Sequence, residues 1–179
     1  MTATNPAVAS GPVRFLHWSM AGLIFGLYAL GLAVEEFPRG AARDFGMLLH
    51  QSFGLVVAGL LLVRLALRPP VARGEGGYAR LAARATHLSL YALMALVPLS
   101  GLANRWTRGR AVSFFGLFDV PSPLPVDRVL SKIFGGLHEA GATAIVVVVA
   151  FHAAAALWHH FVVRDDVLRA MLPGRPAAR

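Results

Sequence analysis

The chain has 179 residues, of which 56% are hydrophobic and only 15% charged, and its mean hydropathy is +0.61. A soluble domain rarely has this composition, so we expect one integral membrane domain over residues 1–179, in contact with membrane lipid. The lack of cysteine excludes disulfides, iron–sulfur ligation and thioether-linked haem. The net charge of +8 forms no basic stripe with interleaved aromatics, which argues against nucleic acid as a partner. The polar segment 1–12 has no basic region, so we do not expect a cleavable signal peptide.

Four apolar runs follow one another, at about residues 13–34, 45–67, 81–103 and 138–162. Each is long enough for a helix to cross a bilayer, which takes about 20 residues. Pro12 suits the start of the first helix, and Pro69-Pro70 should end the second. Because most connections are short, we predict an all-α, four-helix membrane bundle of up-down topology.

The segment between the third and fourth runs is longer, and its middle reads AVSFFGLFDVPSPLP. It is apolar and rich in proline, but too short to span a membrane. We therefore expect a re-entrant or interfacial lid over the bundle. Pro98 and Gly101 should kink or loosen the third helix before it. The basic tail 164–179 is expected to form a short surface helix.

Lysines and arginines favour the inner side of a membrane, so their distribution predicts orientation. One side of the bundle would carry ten of them: Arg14, Arg64, Arg68, Arg73, Arg80, Arg84, Arg164, Arg169, Arg175 and Arg179. The other would carry seven: Arg39, Arg43, Arg105, Arg108, Arg110, Arg128 and Lys132. This modest bias predicts that both termini are cytoplasmic.

The fourth run contains histidines within an almost wholly apolar stretch, where histidine is costly and usually functional. His138 and His152 are fourteen residues apart, so they leave nearly the same helix face, roughly 21 Å apart along the axis. Alternating helix directions then predict which partners lie at the same depth. His50 should meet His138 near the outer side, and His17 should meet His152 near the inner side.

Two imidazoles facing each other across a bundle core are the ligand set of a bis-histidine haem. Zinc is the competing metal, but it prefers four ligands and would find only two at each site. Small residues near the histidines (Gly46, Gly54, Ala153 and Ala154) would leave room for flat macrocycles. The alternative is that these histidines are interhelical hydrogen-bonding groups or chance residues at helix ends.

Three histidines remain, of which His87 and His159 are expected near the inner surface. They could donate protons to a quinone beside the inner haem, or they could simply meet lipid headgroups. His160 points away from the ligand face and is interpreted as structural. On the outer side, Arg105, Arg108 and Arg110 could attract an anionic substrate. The alternative is a merely solvated cluster.

Several stretches resemble sequence motifs of the bacterial cytochrome b561 family, whose members are four-helix membrane cytochromes with two b-type haems. They are RFLHW at 14–18, LLHQSFG around His50, RLAARATHLSLYALM around His87, and HAAAALWHHF followed by RDD and RAML. The last is the most specific, and the likeness covers about residues 13–172. It implies that His17, His50, His138 and His152 are the axial ligands of two non-covalent haems b. Some members pass electrons from superoxide to ubiquinone.

The sequence therefore predicts electron transfer across the bacterial inner membrane, from a periplasmic donor such as superoxide to quinone. In that case the chain would be a superoxide:ubiquinone oxidoreductase. A second hypothesis is a cytochrome subunit that anchors a partner dehydrogenase or periplasmic protein and has no activity of its own. A third is a haem-free membrane scaffold.

Overall fold

The computed structural model describes residues 9–67 and 77–172, and it is dominated by four long helices. These are α1 (Gly11–Glu36), α2 (Ala41–Ala66), α3 (Tyr78–Thr107) and α4 (Arg128–Trp158). All four are long and apolar enough to cross a membrane, which confirms the predicted all-α, four-helix membrane fold. The predictions made for segment 1–8, Arg68, Pro69-Pro70, Arg73 and residues 173–179 fall outside the described residues.

The fourth helix corrects the predicted boundary, because it begins at Arg128 and not near residue 138. The Asp127 carboxylate explains this start: its Oδ1 accepts hydrogen bonds from the backbone N–H groups of Val129 (2.7 Å) and Leu130 (3.0 Å). Such a cap satisfies donors that the first helical turn would otherwise leave unpaired. The Asp127 N–H also donates to the Thr107 carbonyl at 2.9 Å, which ties the start of α4 to the end of α3.

The helices pack mainly as α1 on α2, α2 on α3 and α3 on α4. Met20, Val57, Leu61, Met94 and Ile145 form the buried apolar core at mid-length. Many other large apolar side chains are exposed, among them Phe15, Leu62, Leu88 and Phe151. An apolar exterior around a small core is what a bundle surrounded by lipid requires, since lipid tails are as apolar as leucine.

A β-hairpin lies between α3 and α4, in the segment predicted to be a lid. Its strands β1 (Val112–Phe114) and β2 (Phe118–Val120) are antiparallel, with Phe114 opposite Phe118. The fully buried Ser52 of α2 holds it, because its hydroxyl donates to the Ser113 carbonyl and accepts from the Phe115 N–H (2.8 Å). The sequence analysis does not predict these strands. We call this end of the bundle the hairpin end, and the opposite end the N-terminal end.

The chain leaves α4 through a π-helical turn at His159–Val163, which stops at Arg164 in the left-handed conformation (φ 60°). A 3₁₀ turn follows at Arg169–Met171, in place of the expected surface helix. The indole of Trp18 donates to the Met171 carbonyl at 2.8 Å, which holds this turn against α1. The segment after α4 therefore folds back over the N-terminal end of the bundle.

Candidate functional site

Two pairs of histidines lie between helices, one pair at each end of the bundle. At the hairpin end the ring centroids of His50 (α2) and His138 (α4) are 5.9 Å apart. At the N-terminal end those of His17 (α1) and His152 (α4) are 6.2 Å apart. These are the two pairings that the depth argument predicts, and all four side chains are half-buried. Both pairs share α4, which runs unbroken between them.

The spacing of each pair suits one metal ion held between two imidazoles. Two nitrogen–metal bonds of about 2 Å, with one ring radius behind each nitrogen, add up to roughly 6 Å between centroids. Neither α1 with α4 nor α2 with α4 is among the closely packed helix pairs of the described chain. Both histidine pairs therefore span gaps, which is where a flat macrocycle could enter.

The ring of His138 is held in one orientation by α3. Its Nδ1 donates to the Val97 carbonyl at 2.9 Å, so Nε2 keeps the lone pair that a metal would use. The same ring lies against Gly101, where an added Cβ would come within 2.8 Å of Nδ1. No side chain fits between α3 and this imidazole, so the glycine is needed for the contact.

The partner ring, His50, packs on α1 in a similar way. A Cβ at Gly31 would lie 3.2 Å from His50 Cε1, so a small residue again allows the close approach. Both rings also line a pocket between the helices. Apart from the histidines its walls are mainly apolar, and they include Ile24, Leu27, Gly54, Met94, Pro98 and Ile145.

At the N-terminal end, the ring of His17 contacts an arginine from α2. Arg64 donates from Nη2 to His17 Nδ1 at 3.3 Å, and from Nε to the Tyr91 hydroxyl at 3.4 Å. His87 lies on the other side of His152, with a centroid distance of 5.3 Å. His152 therefore has two histidine neighbours, of which His17 is half-buried and His87 exposed.

His159 pairs with a carboxylate just beyond the fourth span. Its Nδ1 lies 2.5 Å from Oδ2 of Asp165, whose Oδ1 accepts from the Val167 N–H. Desolvation acts to raise the pKa of Asp165, but these hydrogen bonds outweigh it and lower the pKa below its usual 3.8. The carboxylate is therefore charged at neutral pH and keeps the ring proton on Nδ1. The left-handed turn at Arg164 makes this contact possible.

The three arginines considered for anion steering have different surroundings. Arg105 is half-buried, and its guanidinium donates to the Ala111 carbonyl at 3.0 Å, at the base of the hairpin. Arg108 and Arg110 are exposed. One member of the cluster therefore supports the hairpin, and the other two present their charge at the surface.

Some residues important to the site were missed or misinterpreted in the sequence. Gly46 does not make room beside a histidine: it allows Val34 of α1 to approach, since a Cβ there would be 2.6 Å from Val34 Cγ2. Gly54, by contrast, does line the pocket. Gly101 was predicted only to kink or loosen α3, and its contact with the ring of His138 was not predicted, nor was that of Gly31 with His50. Arg64 did carry a recognisable signal, because an ionisable residue inside an apolar run is costly and usually has a function.

The donor set fits haem better than zinc. Within residues 9–67 and 77–172, no group of three or more His, Cys, Asp or Glu side chains could hold a metal ion. Zinc sites normally need at least three protein ligands, whereas haem iron needs only its axial ligands from the chain. The two pairs, the glycine contacts and the apolar pocket all suit a haem with two imidazole ligands.

Known proteins resemble this chain over nearly its whole length. A family profile described as prokaryotic cytochrome b561 matches residues 8–174. The chain is 34% identical to cytochrome b561 homolog 2 of Escherichia coli, over 96% of this chain and 95% of that protein. It is 30% identical to cytochrome b562 of Cereibacter sphaeroides (89% and 92%), and 24% identical to the probable superoxide oxidase CybB of Yersinia pestis (88% and 92%).

The match covers all four helices and both histidine pairs, and its breadth goes well beyond a shared motif. Four apolar helices in a prokaryotic family make the chain a multi-pass bacterial membrane protein. The chain belongs to the prokaryotic cytochrome b561 family, the membrane cytochromes that bind b-type haem and transfer electrons.

Proposed function

We propose that this protein binds two haems b and carries electrons across the bacterial cytoplasmic membrane, from a periplasmic donor to quinone. His50 and His138 would hold the haem at the hairpin end, and His17 and His152 the haem at the N-terminal end. The proposal rests on two histidine pairs of matching spacing at opposite ends of one bundle. Each bound haem would supply a one-electron carrier.

The chain's own part is to orient the ligands and exclude water. The bond from His138 to the Val97 carbonyl supports the tautomer that a metal needs. The core around Met20, Met94 and Ile145 keeps the space between the two pairs apolar. A dry, rigid setting of this kind keeps a redox centre away from competing reactions with solvent.

We propose the hairpin end as the periplasmic side and superoxide as the donor. Both termini would then be cytoplasmic, as the arginine distribution favours. Arg108 and Arg110 are exposed at the hairpin end, where positive charge would attract a small anion. Two superoxide ions would each lose one electron to become dioxygen, and one ubiquinone would take the two electrons and two protons to become ubiquinol.

We place the quinone at the N-terminal end, next to His159 and His87. Asp165 holds His159 by its Nδ1, so Nε2 is the nitrogen free to face another molecule. His87 is exposed beside His152, where it could meet the second carbonyl of a quinone. A positioned imidazole is a suitable group to pass on the protons that quinone reduction consumes.

Superoxide is expected to reduce the haems of the purified protein rapidly, with a rate that falls as salt rises. Exposed charges are screened beyond about 10 Å at 0.1 M salt. The double variant Arg108→Gln/Arg110→Gln should react roughly 3- to 10-fold more slowly at low salt and match the wild type at high salt. Stopped-flow absorbance at the reduced haem band measures both rates.

Arg80→Gln/Arg84→Gln is the matched control, because it removes two exposed charges at the opposite end of the bundle. An equal loss of the reduction rate in both double variants would exclude local electrostatic steering of superoxide at the hairpin end. Haems that ignore superoxide but are reduced by a co-purifying dehydrogenase would favour the anchor-subunit hypothesis. Colourless protein from haem-replete cells would reject the proposal altogether.

The variant Asp165→Asn is expected to slow reoxidation of the reduced haems by ubiquinone about tenfold, with haem content unchanged. The neutral amide removes the negative charge that favours a proton on Nδ1 of His159, and acid–base groups contribute at least this much to a rate. Asp166→Asn is the control, since that neighbouring carboxylate bonds Arg169. If the two variants reoxidise at the same rate, Asp165 does not position a proton donor for quinone.

A further inference from the structure

Arg64 is a charged residue within the apolar run of α2, two residues before the helix ends at Ala66. Its side chain is half-buried and turns inwards, towards α1 and α3. A guanidinium in a membrane span is costly, so it usually has a partner or a function. Its partners here are a phenol and an imidazole, and neither is a carboxylate.

No carboxylate pairs with Arg64 within the described part of the chain, where the ion pairs are His159 with Asp165 and Arg169 with Asp166. The guanidinium also lies within electrostatic range of both His17 and His152. Among residues 9–67 and 77–172, the N-terminal-end site therefore contains a cation without a carboxylate partner. A buried or half-buried charge of this kind favours the binding of an anion.

The hydrogen bond between Arg64 and His17 also indicates that Arg64 would bind a different acceptor when a haem is present. Arginine can only donate, so Nδ1 of His17 must accept, and the ring proton then lies on Nε2. A metal-bound histidine has the opposite arrangement: one nitrogen binds the metal and the other donates its proton. Ligation through Nε2 would place the proton on Nδ1, where it repels the guanidinium. Arg64 would then be released to another acceptor.

Haem b carries propionate carboxylates at one edge of its macrocycle. The guanidinium is the side chain best matched to a carboxylate, because its planar fork can donate two parallel hydrogen bonds. Tyr91 holds the Nε side of the group, which leaves the outer nitrogens for such a ligand. The lack of a carboxylate partner among the described residues, the tautomer of His17 and the contact of Arg64 with His17 all agree with this acceptor.

We propose that Arg64 binds a propionate of the haem at the His17–His152 site and that its positive charge raises the reduction potential of that haem. This inference rests on the proposed function, since it needs a haem at this site. A cation beside a redox centre favours the reduced state, which carries one positive charge fewer. Tyr91 would act as the positioning residue that orients the guanidinium.

The test is a spectroelectrochemical titration of the haem-loaded protein with both midpoint potentials resolved. Arg64→Gln should make the reduction equilibrium of one haem about tenfold less favourable. This corresponds to a midpoint potential lower by about 59 mV for one electron. Arg64→Lys keeps the positive charge and should lower the midpoint potential by less than half as much as Arg64→Gln does. Tyr91→Phe should give a smaller shift in the same direction. The control Arg84→Gln, an exposed charge at the same end, should leave both potentials unchanged.

The double variant Arg64→Gln/His138→Ala shows which haem has the shifted potential, because it should keep only the haem at the N-terminal end. Wild type with two haems and unchanged potentials in Arg64→Gln would overturn this inference and leave the proposed function intact. Wild type without a haem at this end would overturn both. A shift seen only in vesicles of anionic lipid, and absent in phosphatidylcholine, would show that Arg64 binds a lipid phosphate and not a propionate.

Discussion

Replacing His138 with alanine is expected to lower the haem content from two per chain to one. The variant removes one of the two imidazoles at the hairpin end, and His50 alone cannot supply both axial ligands. A reduced-minus-oxidised spectrum with a haem-to-protein ratio measures the loss. Added imidazole should restore part of the signal, because the truncated side chain leaves room next to the pocket.

His160→Ala is the matched control, since it removes a half-buried histidine that follows α4 but pairs with no other histidine ring among the described residues. It should keep both haems. At the other end, His17→Ala should lose one haem and His87→Ala none. Loss of one haem in His87→Ala, but not in His17→Ala, would show that His87 and not His17 binds the iron together with His152. The ring of His87 is the nearer of the two to His152. Retention of both haems in His138→Ala would reject the hairpin-end site.

Gly101→Ala is expected to remove most of the haem at the hairpin end, although alanine is the better helix former. In an exposed helix this change would stabilise by up to about 1 kcal/mol. Here the new Cβ would lie 2.8 Å from Nδ1 of His138, so the ring must turn and give up its bond to the Val97 carbonyl. The haem-to-protein ratio should approach that of His138→Ala, while circular dichroism shows an intact bundle.

Gly59→Ala serves as the control, because this glycine is exposed on α2 and an added Cβ would meet nothing within 4 Å. It should bind both haems. If Gly101→Ala also binds both at wild-type affinity, the contact between α3 and the imidazole does not orient the ligand. A shifted potential without loss of haem would mean that the ring turns but still binds iron.

The pairing of the histidines could be predicted from the sequence because it depends on helical geometry alone. Fourteen residues bring His138 and His152 back to nearly the same face of a straight helix. The alternating direction of four spans then sets the depth of His17 and His50. Neither step needs any knowledge of side-chain packing, and the structure brings the same partners together.

The start of α4 and the hairpin were harder to predict because local and distant contacts decide them. Residues 128–137 include charged and small side chains, so hydropathy alone hides a helix that the Asp127 cap begins. The hairpin is held by Ser52, which is 61 positions from Ser113 in the chain. A single hydroxyl making two long-range hydrogen bonds has no signature in the sequence.

The sequence by itself determined the membrane class, the number of helices and the depth of each histidine, since hydropathy and the helical repeat are properties of the chain alone. Only the tertiary structure decided which glycines contact His50 and His138, that Arg64 lies beside His17, and that His152 has a second histidine neighbour. Those contacts depend on how far apart the helices lie and how each is rotated. Side chains from several helices set these distances together, so no single stretch of sequence contains them.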